Sequence, residues 1–259
     1  MPHQLWLNYP VLGLGVWPTE ETDTAVDNVH FTLLPQTKLT QASLHLDLST
    51  EKLDIDRATS LINKFLSHLC FCSDQPLWLG NNGFSGSASK QVFPKEQLRP
   101  FKRRIDRFPS EFHLLNDKKK LVSLALYREG KIASLYSKAF ACLSFYKIIE
   151  PLKAKNKKHK LASWMQPHLE DLEELDPRGI GRLKDEASRK NLTLDEYIFK
   201  HIRNNAAHLF LDSNVNLDDE QAAEIFYFAT YPLEYMARSY IEQDLEVPTL
   251  LDWYKHPRN

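Results

Sequence analysis

The spacing of apolar and polar positions changes partway along the chain. Residues 1 to about 50 hold short segments in which apolar and polar side chains alternate between turn residues, the period-two signature of strands. "QLWLNY" and "ASLHLDLS" are the clearest. In the second, Ala42, Leu44, Leu46 and Leu48 share one strand face, and Ser43, His45 and Asp47 the other. Spacing turns helical in "DIDRATSLINKFLSHLC", where Ala58, Leu61, Ile62, Phe65, Leu66 and Leu69 fall on one side. "PLWLGNNGFSGSAS" then predicts a short strand and a flexible loop. These elements together predict a small mixed α/β domain over residues 1–110.

Residues 111–259 read as an all-α bundle, so the fold class expected for the whole chain is α+β. "DKKKLVSLALYREGKIAS" is a first helix, and "SLYSKAFACLSFYKIIEP" a second that Pro151 stops. The basic connector "KAKNKKHK" leads to a third around "LASWMQPHLEDLEEL". In "LTLDEYIFKHIRNNAAHLFLD", Thr193 as N-cap and Glu196 three residues on form a capping box. Leu194, Tyr197, Ile198, Ile202 and Ala206 carry its apolar stripe. The last helix, "LDDEQAAEIFYFATYPLEYMARSYIEQ", is expected to bend or break near Pro232.

Composition narrows the function classes. The chain has 259 residues, is 42% hydrophobic, and carries a formal charge of −1. A nucleic-acid partner would have to be held by local basic patches, because no global positive field exists. The 3 cysteines argue against a disulfide framework and for a reducing compartment. No basic leader with an apolar stretch opens the chain, and no apolar run has membrane-spanning length, which predicts a cytoplasmic protein with no membrane partner. "GLGVWP" lacks the third glycine and the following helix of a dinucleotide fingerprint. "GNNGFSGSAS" lacks the Gly-Lys-Ser/Thr of a P-loop, and no histidine or cysteine spacing matches a metal motif, so neither a cofactor nor a metal is expected.

The candidate chemistry lies in "HIRNNAAHLF". Asn204 and His208 are i and i+4 on one helix face, with Arg203 displaced by one residue. A fixed cation, an amide and an imidazole thus fall within one and a half turns, a set suited to acid–base work on an anionic substrate. The same spacing also fits a polar edge on a packed helix. Two apolar stripes of the first helix run into Arg128 and Glu129, charges that need partners if buried, with Glu150 a candidate. "RPFKRRIDRF" interleaves Arg103 and Arg104 with aromatic residues, and "KAKNKKHK" supplies Lys157 and Lys158; both suit RNA phosphates and both also suit solvated surface.

"RNNAAH" matches the R-x(4–6)-H motif, with a polar residue after the arginine, of the HEPN superfamily of helical-bundle proteins. "LALYREG", "SFYKIIE" and "HIRNNAAH", in that order, resemble the HEPN-type domain of bacterial methylamine-utilisation J-like proteins over roughly residues 115–245. The resemblance implies a metal-independent endoribonuclease acting as a homodimer, two motifs facing each other across a cleft. His208 would assist proton transfer as the ribose 2′-OH attacks the adjacent phosphate, leaving 2′,3′-cyclic phosphate ends. Arg203 would stabilise the phosphoryl oxygens and Asn204 would orient the phosphate or the histidine. Arg128, Glu129 and Glu150 would support them. A toxin or phage-defence setting, with a cognate antitoxin or defence-system partner, follows by the same analogy. The alternative is a non-catalytic module that binds RNA, a nucleotide or a protein.

Overall fold

The computed structural model describes residues 5–95, 103–105, 108–153, 158–207 and 220–249. The chain divides into two compact units, one running to Arg128 and taking in Pro248 and Thr249, the other spanning Glu129–Val247. The first holds a mixed sheet and the second is helical, an α+β arrangement.

The first unit is built on strands β1 (Trp6–Gly13), β2 (Val16–Pro18), β3 (Thr22–Val26), β4 (Val29–Leu34) and β5 (Ser43–Asp47). Helices α1 (Leu48–Glu51) and α2 (Ile55–Ser73) follow. Then come β6 (Leu77–Leu79), β7 (Phe84–Gly86), β8 (Arg103–Ile105) and β9 (Glu111–Phe112). The main sheet runs β6-β1-β5-β4-β3-β9, with β7 also on β1, and β2 pairs with β8 separately. Asp27 and Asn28, both at positive φ, close the β3–β4 hairpin in the two-residue turn that suits strand twist. β7 falls within the segment expected to be a loop; it adds to β1 over Trp6–Asn8, beside the stretch that β6 takes.

Leu7, Phe31, Leu33, Leu44 and Leu46 lie on one face of this sheet and are buried. Phe65 of α2 packs edge-on against Phe31 and Phe112, with ring centroids 5.7 and 5.1 Å apart. The alternation of β5 places Ser43 and His45 on the opposite face as expected, yet they are 1% and 0% exposed. The segment that follows β7, residues 87–93, straps the neighbouring strand on this face. Asn8, opposite His45 on β1, donates through Nδ2 to the Ala88 carbonyl and accepts the Gln91 N–H.

The second unit begins inside α3 (Lys118–Ala133). It continues through α4 (Lys138–Ile149), α5 (Lys158–Leu175), α6 (Pro177–Arg189), α7 (Leu194–Tyr197), α8 (Asn204–Ala207) and α9 (Glu220–Ser239). α4 and α9 form its centre, burying Ala141, Cys142, Phe145, Phe226, Ala229 and Leu233. Gly130 lets α3 approach α4 closely: a Cβ there would lie 2.5 Å from the Phe145 ring. Pro232 does not break the last helix, and α9 runs through it to Ser239. The helix α6 is additional to those read from spacing. Asp176 caps it by accepting the Gly179 N–H at 3.0 Å, and Pro177 opens its first turn. Among the described residues, no helix is long and apolar enough to cross a membrane.

Candidate functional site

The capping box forms at the start of α7, where the Glu196 carboxylate accepts the Thr193 backbone N–H. The helix expected unbroken over "LTLDEYIFKHIRNNAAHLFLD" instead widens into a π-helical segment, Ile198–Arg203, followed by α8, and its end beyond residue 207 lies outside the described residues. The apolar pattern supplies a reason. Ile198, Ile202 and Ala206 are buried and spaced four apart, more than the 3.6 residues of an α turn. A wider turn closed by i→i+5 bonds takes up the excess and keeps the three in line. It also sets the direction of Arg203, its last residue. Such insertions occur often at functional sites.

Among the described residues, Arg203 makes two side-chain hydrogen bonds. Nη2 donates to Glu150 Oε1 at 2.9 Å, and Nη1 donates to Asn204 Oδ1 at 3.1 Å. The two charged side chains are 29% and 36% exposed, so the guanidinium is held in place yet open to a solute. Glu150 sits where α4 ends in a 3₁₀ turn, Glu150–Lys153, at the expected stop before Pro151. One turn earlier on the same face is Tyr146. It is buried, packs against the Phe199 ring at 6.1 Å, and its hydroxyl has no hydrogen-bond partner among the described residues. Burial first, and then the Glu150 carboxylate, push its ionisation above the ordinary tyrosine range, with Arg203 opposing. In the sequence Tyr146 is hidden within the apolar run of α4. Its i, i+4 spacing to Glu150 was the available signal. His201, in the π segment, stacks on Tyr197 at 5.3 Å. Burial and the charges of Lys190 and Lys200 hold it below its ordinary range.

The remaining expected site residues fall elsewhere. Arg128 belongs to the first unit, where Nη1 donates to the Asn63 carbonyl at 2.8 Å. Glu129 is exposed. Glu150 thus finds its cation in Arg203. Arg103 and Arg104 lie on β8, beside Val16 and Trp17 of β2, and Lys158 begins α5; the side chains of all three are outside the described residues, as are Lys157 and His208 altogether. The three cysteines are buried thiols; burial pushes Cys142 up to about 12.

One arrangement in the first unit has the connectivity of a nucleophile–base relay. Ser43 Oγ lies 2.8 Å from His45 Nε2, and His45 Nδ1 lies 2.7 Å from Asn8 Oδ1. Because Asn8 Nδ2 donates to Ala88, its Oδ1 must accept, which puts the imidazole proton on Nδ1 and leaves Nε2 to accept from Ser43. All three residues are buried on the strapped face, and through Asn8 the relay ties that strap to the sheet.

Arg203, Asn204, Glu150 and Tyr146 all lie within the segment that a family model matches. Residues 123–242 match the family model of methylamine utilization protein MauJ. No curated protein and no solved structure matches the chain. The MauJ match covers the π segment and its partner helix α4 together, and lies almost wholly in the second unit. This agrees with the MauJ-like part of the resemblance read from "LALYREG", "SFYKIIE" and "HIRNNAAH".

Proposed function

We propose that the MauJ-like segment is a HEPN-type domain and that the protein is a metal-independent endoribonuclease acting as a homodimer. The observation that carries this reading is the placement of Arg203: fixed by Glu150 and Asn204, partly exposed, at the end of a π turn, within the R-x(4)-H motif. A guanidinium so held presents N–H donors to phosphoryl oxygens with little reorganisation. In the proposed reaction the ribose 2′-oxygen attacks phosphorus while its proton passes to a base. The P–O5′ bond breaks, and the departing 5′-oxygen takes a proton. His208 fills the acid–base role, Arg203 stabilises the charge on the non-bridging oxygens, and Asn204 orients phosphate or imidazole. Glu150 is a positioning residue that aims Arg203.

The test is cleavage of end-labelled RNA in excess EDTA by wild type, Arg203→Ala and His208→Ala, each with its fold checked by circular dichroism. Cleavage by wild type alone supports the assignment. Equal background from all three, with retained RNA binding, moves it to a non-catalytic RNA-binding module, a reading favoured by the carboxylate already engaging Arg203.

A further inference from the structure

A cleft of about 350 Å³ opens in the second unit, away from Arg203. Lys138 and Arg178 line it with Tyr227 and Tyr231, and the carboxylates Asp176 and Glu234 complete its polar wall. Its volume is in the range of small-ligand sites. Lys138 is the first residue of α4, whereas Glu150 follows the last, which separates the two sites by about 18 Å at 1.5 Å per residue.

With Lys131 counted beside Lys138 and Arg178, three cations stand against the carboxylates Asp176 and Glu234, an excess of one positive charge in and beside the cleft. Glu234 is taken by Lys131, whose Nζ lies 2.5 Å from Oε1, with both side chains largely buried. Asp176 is engaged as the N-cap of α6. Lys138 donates to the Ser134 carbonyl at 2.7 Å, and among the described residues neither Lys138 nor Arg178 forms an ion pair with a carboxylate. Aromatic faces steady both cations instead: Lys138 lies 6.0 Å from the Tyr227 ring centre and Arg178 5.7 Å from that of Phe228. The rings themselves are open. Tyr227 and Tyr231, one turn apart on α9, are 63% and 45% exposed, unusual for aromatics on a packed helix. Two cations that form no ion pair among the described residues, beside two accessible aromatic rings, match a ligand that is anionic at one end and a flat ring at the other.

We infer that this cleft binds a nucleoside phosphate, the phosphate between Lys138 and Arg178 and the base stacked on Tyr227 and Tyr231. The ligand is either a free nucleotide or one unit of a single-stranded RNA. The inference stands apart from the proposed cleavage, because the cleft shares no residue with the Arg203 site.

The experiment is calorimetric titration of the full chain with AMP, ATP and inorganic phosphate at low salt, beside anisotropy of a labelled 2′-O-methyl oligonucleotide. That oligonucleotide lacks the attacking hydroxyl, so a failure of the cleavage proposal does not affect the readout. The expected result is saturable binding that weakens with salt. It falls at least tenfold in Tyr227→Ala and in the Lys138→Gln/Arg178→Gln pair, and is retained in Tyr227→Phe, which keeps the ring. Saturation by AMP or ATP identifies a nucleotide site; saturation by the oligonucleotide alone identifies an RNA groove. Absence of binding by both probes, equal affinity in folded cleft variants, or inorganic phosphate binding as well as the nucleotides would each overturn the inference.

Discussion

The Arg203 guanidinium reaches the Glu150 carboxylate across 2.9 Å, from the end of a π turn to the end of a neighbouring helix. Both groups keep about a third of their surface in solvent, so the pair contributes at most about 1 kcal/mol to stability. Glu150→Ala is expected to leave the unfolding midpoint nearly unchanged while lowering RNA cleavage, and Glu150→Gln, which retains an oxygen acceptor, to preserve more of it. Urea titrations beside cleavage rates check this. A stability loss above about 3 kcal/mol would mark the pair as a structural bridge of the buried kind.

Tyr146 leads to an expectation of the opposite kind. Its buried hydroxyl makes no hydrogen bond among the described residues. Removing it deletes an unsatisfied polar atom and keeps the ring that packs on Phe199. Tyr146→Phe is therefore expected to leave the thermal midpoint unchanged or raised. If that same variant cleaves RNA more slowly, the hydroxyl acts on the bound state. A clear drop in the midpoint would contradict the packing described for α4.

Gly130 sets the approach of α3 to α4. The Cβ of an alanine would meet the fully buried Phe145 ring at 2.5 Å, too close to be absorbed without displacing the ring. Overpacking of this kind costs about 1–3 kcal/mol, against a gain of about 1 kcal/mol in helix propensity. Gly130→Ala is expected to be net destabilising, by chemical denaturation. A stabilised variant would show that the helices separate freely.

Two buried imidazoles make stability depend on acidity. Burial lowers both His45 and His68 from an ordinary 6.5 to about 4, with the Lys90 charge adding to the effect on His45 and Glu21 opposing it. Between those values the unfolded chain binds protons that the folded protein refuses. Stability therefore falls as pH drops from about 6.5 toward 4, by about 2 kcal/mol for each imidazole at pH 5, and the slope from both fades out by about pH 8. Denaturation midpoints at pH 7 and pH 5 measure it, and a folded His68→Leu variant should show a shallower fall.

These residues also show what the sequence carries and what it hides. The strand-to-helix transition, the Thr193–Glu196 cap and the stripe through Tyr197, Ile198, Ile202 and Ala206 are local patterns, and the fold preserves them. The π turn is not local in origin: it is how a four-residue apolar spacing meets a packed neighbour, so periodicity read it as ordinary helix. Helix α6 was legible in Asp176–Pro177 and in the spacing of Ile180, Leu183 and Ala187, signals that surrounding charges obscured. Ser43 and His45 were placed on the right face, but they are buried there, on a face strapped by a segment some forty residues away in sequence. The partner of Glu150 was equally non-local, and only the folded chain selects Arg203.

The central claim is that Arg203 acts on the phosphate of an RNA cleaved without metal. The measurement that tests it most directly is the chemistry of the product ends, mapped after digestion in excess EDTA by wild type and by a folded Arg203→Ala variant. The account predicts 2′,3′-cyclic phosphate and 5′-hydroxyl ends from wild type, formed at least about a hundredfold more slowly by the variant. Ends bearing a 5′-phosphate, or the same cyclic ends at the same rate from both proteins, would contradict it.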